Sequence, residues 1–300
     1  IDKNIPVKTI AVINTNLLHA VLVPLDSKIK SFKDFKGSNP PATIGIVTGS
    51  SAEFYIQAAA KANGIEIGKD IILKNMPPGE QMAMPKGIDA VVPWDPTPTI
   101  MVKERKNARI ISDSFPYNIY EGTFYVRQEV IDNAPDVVQA FTDAIAEATL
   151  WIRKNPDAAV DVMQEDPNLK NYSKEILRQQ ITAYNLLYKP NYIYPIPVFW
   201  GRANEPIYTW LYESKRIQNK LTGIDFARAV DTRFMDKTFE KLGWATTTRP
   251  PFLPATWTAP MDKTPYPTYM NSLNTTTPQA FPEKGDLTRD WSYDGKTYKK

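Results

Sequence analysis

The chain has no cysteine, a single histidine and no long apolar run. Without cysteine there are no disulfides, no thiolate nucleophiles and no Cys-ligated metals. The lone histidine, His19, lies inside an apolar run, where a packed and hydrogen-bonded ring is the plain reading. It cannot make a zinc site alone. A Ser-His-acid triad would have to use it, yet no G-x-S-x-G elbow supplies the serine. Neither EF-hand spacing nor a P-loop is present, and no short-range pair of carboxylates marks acid–base work. Nowhere do ~18 apolar residues follow one another, the length a membrane span requires. A dominant charge is missing too. The 36 Lys and Arg against 33 Asp and Glu leave +3, scattered along the chain, and nothing argues for nucleic acid. No catalytic residue, metal or cofactor is expected.

What is present suffices for about two domains: 300 residues, 42% of them apolar. The first residues, Ile1-Asp2, are neither Met nor a signal peptide and read as a processed or truncated start. The organising stretch is TIGIVTGSSAEF, residues 43–54. A β-branched run ends in the hydroxyl-rich corner Thr48-Gly49-Ser50-Ser51, and a helix is predicted from Ala52 to Asn63, stopping at Gly64. Phe54, Ala58 and Ala62 share one face of it. The first N–H groups of a helix lack intrahelical partners and carry partial positive charge, so the corner suits a small anionic head group. Ser50 or Ser51 simply capping the helix is the alternative at this point.

Upstream, residues 7–24 read as two strands, the second being His19–Val23 and ending at Pro24. Residues 27–35 form a short polar helix with Ile29, Phe32 and Phe35 three apart. Downstream, strands are expected at Ile71–Lys74 and over 87–92, the latter delivering Pro93-Trp94-Asp95-Pro96 at its end. Two strands thus present ligand-type groups at their carboxyl ends, where open α/β sheets bind ligands. A helix at Ile100–Lys106 and strands at Ala108–Ser112 and Thr123–Arg127 follow. From Pro135 the pattern turns helical, with breaks at Asn155-Pro156 and a cap at Ser173. Residues 189–200 are too rich in proline for a regular element. They place Tyr192, Tyr194, Phe199 and Trp200 on an ordered loop, as core, lobe surface or cleft wall. The next helix starts at Asn204 and Pro206, and a last one reaches Gly243. Residues 249–300 hold eight prolines and eight aromatics without periodicity. A disordered tail would be poor in aromatics, so this segment reads as an ordered, extended arm lying on the first lobe or on a neighbouring chain.

Taken in order, VLVP, DSKIKSFKDFKG, TIGIVTGSSAEFYIQAAAKANGI, GIDAVVPWDP, GTFYVRQEVIDNAPDVVQAF and GIDFARAVDTRFMDKTFEKLG carry a likeness from about Ile10 to Gly243. The chain resembles the substrate-binding proteins of ABC importers for nitrate, sulfonates, taurine and related small acids. The resemblance implies an α/β, two-lobe periplasmic-binding-protein fold whose two hinge strands fall near His19–Val23 and Thr123–Arg127. It implies a first lobe of residues 1–24 and 119–248, a second of 25–118, and the arm 249–300 as an extension. It also implies an interlobe cleft in which Thr48, Gly49, Ser50 and Ser51 hold the anionic head and Trp94 covers the apolar part. Asp95 either contacts an amino group or caps the following helix. The implied partners are a small anionic solute and a membrane permease, the implied location periplasmic or extracellular and membrane-anchored. Family members carry a further stretch ahead of the first hinge, so the first lobe is expected to be incomplete and covered by a neighbouring chain. Two other readings stay open. One is a non-catalytic interaction subunit derived from this fold. The other is an enzyme on the same fold, of the sulfinate-cleaving or pyrimidine-forming kind, whose chemistry leans on cysteine or histidine.

Overall fold

The chain begins on β1 (Val7–Asn14), whose partner lies far away in sequence, and builds one sheet from its next five strands. These are β2 (Ala20–Pro24), β3 (Ala42–Ile46), β4 (Ile71–Asn75), β5 (Ala90–Val91) and β6 (Ala108–Asp113), in the spatial order β4-β3-β5-β2-β6. A computed structural model describes residues 5–14, 19–114, 122–181, 197–242, 291–293 and 296–298, together with Lys3 and Tyr117. It divides into two compact units, Leu17–Ile119 and Ile1–Asn16 with Tyr120–Lys300.

In the Leu17–Ile119 unit, β3 runs parallel to β4 and β5, and β2 runs antiparallel to β5 and β6. Ala20, Val21, Leu22 and Val23 of β2 are all fully buried. A strand covered on both faces reads as a continuous apolar run, and that is the reason β2 sits inside the sheet. β2 is the strand expected, near residues 19–23, to be one of the two hinge strands. The other expected hinge strand, β7 (Gly122–Arg127), pairs antiparallel with β1 in the other unit.

Around the sheet, α1 (Ser51–Asn63) supplies five buried side chains to the core. Ser50 caps it, its Oγ accepting from the Ala52 N–H at 3.2 Å. Gly64 ends it in the left-handed region at φ 65°, and the Ile65 N–H closes back to the Ala60 carbonyl at 2.9 Å. The buried side is Ala52, Tyr55, Ile56, Ala59 and Ala60, packed on Ile44, Ile46, Val21 and Val23. Ala58 is half-buried and Ala62 exposed, so the expected face through Phe54, Ala58 and Ala62 is rotated from the one that packs. Residues 27–35 form only a single 3-10 turn, Phe32–Phe35. Asp34 accepts from the N–H groups of Lys30 and Ser31 at 2.8 and 2.9 Å, and the three-residue spacing of two buried phenylalanines suits a three-residue turn. The short α2 (Pro78–Gln81) and α3 (Thr97–Lys103) follow.

In the second unit, α4 (Gln128–Asn133), which the pattern alone did not suggest, leads into α5 (Pro135–Lys154), α6 (Pro156–Glu165) and α7 (Lys174–Gln180). Proline at the first position starts α5 and α6, and Ser173 Oγ caps α7 by accepting from Ile176 N–H at 3.2 Å. The next helix, α8 (Pro197–Glu213), begins seven residues before Asn204 and takes Pro206 into its interior. Phe199 and Trp200 therefore belong to a helix, not to a loop, while Tyr192 and Tyr194 fall outside the described residues. The last helices are α9 (Gly223–Arg228) and α10 (Arg233–Leu242). Thr9 of β1 is tied to the chain after α9, donating to the Ala229 carbonyl and accepting from the Asp231 N–H at 2.8 Å each. Of the arm 249–300, only the antiparallel pair β8 (Trp291–Tyr293) and β9 (Lys296–Tyr298) is described; the rest of that expectation lies outside the described residues.

Candidate functional site

The corner after β3 and the turn after β5 belong to one sheet, on neighbouring parallel strands. Their carboxyl ends bring Thr48–Ser51 and Trp94-Asp95 to the same edge of the Leu17–Ile119 unit. The start of β2, running the other way, adds His19 at that edge. His19 bridges Trp94, and the Ala20 N–H donates to the Pro93 carbonyl at 3.3 Å.

The individual groups divide sharply by what already occupies them. Ser50 is committed to the fold: its Oγ donates to the Val47 carbonyl at 2.7 Å while accepting the Ala52 N–H. The Gly49 N–H donates to Glu53 Oε2 at 2.6 Å, and Gly49 itself has φ 83°, the left-handed turn that glycine permits. The Thr48 N–H donates to Asn75 Oδ1 at 3.0 Å, which leaves the exposed Thr48 side chain beside it. Asp95 is buried, and its Oδ1 accepts both the N–H and the hydroxyl of Thr99, at 3.1 and 2.9 Å. Those two bonds tie it to the first turn of α3, whose N-cap position is Pro96.

Ser51 is different. Its Oγ lies 2.8 Å from Nε2 of His19, thirty-two positions away in sequence and fully buried. The His19 and Trp94 rings stand 6.1 Å apart at 56°, so hydroxyl, imidazole and indole form one group. Half-buried Trp94 offers an apolar face. Below them the Tyr55 hydroxyl donates to Ser112 Oγ at 2.8 Å, and burial pushes its phenol far up, so it stays a donor.

Two members of this arrangement were not legible as site residues. His19 carried only the signal of a lone histidine at the start of an apolar run. Glu53 carried none, looking like a first-turn acid on a helix. It is 6% exposed, and its carboxylate takes the Gly49 N–H and the Gln57 amide at 2.6 and 3.2 Å. The carboxyl group of Glu53 thus already sits at the N-terminal end of α1. Among the described residues there is no cluster of His, Asp and Glu that would hold a metal ion.

The unit is an α/β one whose mixed sheet carries hydroxyl, imidazole and indole groups at its strand ends. Comparison with known proteins makes this specific. Residues 1–159, more than half of the chain, match the NMT1/THI5-like family, and the chain belongs to that family. A Brucella abortus protein named only as a binding protein is 28% identical over 138 residues, 44% of this chain and 42% of the relative. The chain therefore spans about two fifths of the length of the curated relatives it matches. Among solved structures, the periplasmic aliphatic sulphonate binding protein of Escherichia coli superposes with a TM-score of 0.61 at 16% identity, covering 75% of this chain and 70% of that one. The periplasmic nitrate-binding protein of Synechocystis gives 0.56 at 15%, covering 80% and 69%. The desulfurization enzyme DSZB gives 0.51 at 14%, covering 79% and 80%. The fold is that of the periplasmic binding proteins.

Proposed function

We infer that this chain is a solute-binding protein that captures a small anion of the sulfonate or nitrate class and delivers it to the permease of an ABC importer, outside the cytoplasm. The observation that carries the reading is the group Thr48, Ser51, His19 and Trp94 at the carboxyl ends of β3 and β5, beside the N-terminus of α1. Hydroxyls and a helix N-terminus suit an oxyanion head, and the indole face suits an alkyl or aryl body. The family and the binding proteins that share the fold support it. Of the ligand-holding set expected from the sequence, the proposal leans on Thr48, Ser51 and Trp94, while Gly49, Ser50 and Asp95 also make hydrogen bonds within the fold.

A thermal-shift screen of nitrate, taurine, alkanesulfonates, bicarbonate and aromatic acids tests the reading. A ligand at 100 times its dissociation constant adds about 2.7 kcal/mol of stability, a clear rise in melting temperature. With the ligand found, calorimetry on Thr48→Ala/Ser51→Ala is expected to show binding weakened at least about tenfold, since each hydrogen bond to a charged group contributes roughly 1.5–3 kcal/mol. No stabilisation by any acid, or unchanged affinity in the double variant, removes the site.

A further inference from the structure

Three parallel strands, β4, β3 and β5, end at the edge that carries the corner. β3 leads into Thr48–Ser51 and β5 into Trp94, while β4 ends on Asn75, which pairs with Ile46, the last residue of β3. Asn75 is therefore a third strand-end group at the edge where open α/β sheets take ligands, and it is exposed.

A carboxamide can present either its oxygen or its NH2 by turning half a revolution, so an exposed one is ordinarily both donor and acceptor. Asn75 lacks that freedom. Its Oδ1 accepts the Thr48 N–H at 3.0 Å. Turning the group over would set NH2 against that N–H, donor against donor, and leave the Thr48 nitrogen without its acceptor. With the oxygen so fixed, Nδ2 keeps its two protons for another acceptor, and it has no hydrogen-bond partner among the described residues. The backbone that carries the amide is held on both sides. Before it lies the β3–β4 ladder. After it the Met76 N–H donates to the Ile46 carbonyl at 2.7 Å, and the Met76 carbonyl accepts from Nε2 of the fully buried Gln81 at 2.6 Å. A donor held in this way loses little freedom when a ligand arrives.

We propose that Asn75 is a ligand-contacting, specificity-determining residue of this site, its Nδ2 donating to an oxygen of the bound anion. The inference rests on the anion-binding reading of the corner and adds to it a residue from a third strand. A locked NH2 suits a head group that has oxygen lone pairs and no proton to give, such as a sulfonate or nitrate, and rejects one that presents an N–H or O–H at that place. The competing account is an Asn75 that serves only to hold the Thr48 backbone.

Asn75→Asp separates the two. The carboxylate keeps an oxygen for the Thr48 N–H, so the structural bond survives, while the donor gives way to an oxygen bearing negative charge. Calorimetry on the whole chain near neutral pH, with methanesulfonate and nitrate as probes, is expected to show binding at least about tenfold weaker than wild type, the effect of losing one hydrogen bond to a charged group. The melting temperature of the unliganded variant should stay that of wild type. Lys74→Gln makes the same change of one charge on the neighbouring residue, whose side chain takes the opposite face of β4. It controls for long-range repulsion, which salt screens, and is expected to bind as wild type does. In an NMR spectrum of isotope-labelled wild type, the Asn75 side-chain amide resonances should shift on saturation with either anion, a readout that needs no variant to fold. Unchanged affinity in Asn75→Asp, an equal loss in Lys74→Gln, or amide resonances that stay in place at saturation each overturn the proposal. Each leaves the anion site standing, because Thr48→Ala/Ser51→Ala tests that site separately. Failure of both probes to bind wild type overturns the proposal for these anion classes; stabilisation by another acid in the screen would then leave the solute-binding reading standing.

Discussion

Two carboxylates at this corner, Asp95 and Glu53, show how a residue's role is decided by what reaches it first. Asp95 follows Trp94 on a turn that points at the proposed ligand, yet its Oδ1 is taken by the N–H and hydroxyl of Thr99. Replacing it with alanine leaves two buried donors at the start of α3 without that acceptor. Asp95→Ala is therefore expected to lower stability by about 1–3 kcal/mol in urea unfolding, with Asp95→Asn less damaging because its amide oxygen still accepts. The same logic applies to Ser50. Losing its cap should cost about 0.5–2 kcal/mol of stability without weakening solute binding, whereas Ser51→Ala should do the reverse. A Ser50→Ala variant that folds as stably as wild type would show the cap to be incidental.

At the level of elements, α8 and α9 approach each other closely. A Cβ built on Gly201 would stand 2.3 Å from the Gly223 carbonyl oxygen, and one on Gly223 would stand 2.8 Å from the Gly201 carbonyl carbon. Both clashes are with backbone, which cannot swing aside as a side chain would. The Gly223 N–H is held in addition by Glu205 Oε1 at 2.8 Å. Gly201→Ala is expected to destabilise by about 1–3 kcal/mol or to separate the two helices. Gly79→Ala is the control: nothing lies within 4 Å of its added Cβ, and restricting the unfolded chain should leave it neutral or up to about 1 kcal/mol more stable. Equal Tm values for both variants would refute the close crossing. Proline acts in the opposite sense on these elements. At the first position of α5 and α6 it fits, while Pro206 occupies the interior of α8, a helix that the sequence reading started at Asn204 and Pro206.

For the whole molecule, the groups that bear on acid stability are aspartates held below their ordinary range. Asp34 and Asp70 are lowered first by backbone N–H donors, Lys30 and Glu66 respectively. Asp225 is lowered by the Thr222 hydroxyl and Asp231 by the Arg233 guanidinium. Asp143 feels burial first, which raises it, but Lys241, Thr238 and Gln139 together outweigh that and leave it low. Lys241 ion-pairs with it directly, joining α5 to α10. A carboxyl whose folded pKa is depressed contributes stability above its unfolded pKa and loses it as pH falls through the folded value. Urea midpoints are thus expected to hold near neutrality and drop once pH falls below about 4. Asp143→Asn should flatten part of that drop while lowering stability at neutral pH. An acid profile unchanged by the substitution would exclude the Asp143–Lys241 contact as a contributor.

The sequence by itself determined the local units: a β-rich run into a glycine-hydroxyl corner and a helix ending at Gly64, and proline-started helices from residue 135. Those follow from periodicity and capping, which act over a few residues. It also determined, through VLVP, TIGIVTGSSAEF and GIDAVVPWDP, which family the chain would prove to belong to. The buried face of α1 was misplaced because a helix rich in alanine marks its apolar stripe poorly; the strands it packs on choose the face. The tertiary structure alone decided that β2 lies inside a sheet, since only pairing on both edges satisfies that strand's backbone. It alone decided that Glu53 closes over the Gly49 N–H, and that His19 meets Ser51 across thirty-two residues of chain. Contacts of that range leave no periodic trace in a sequence, because they are set by strand order and not by the spacing of neighbours.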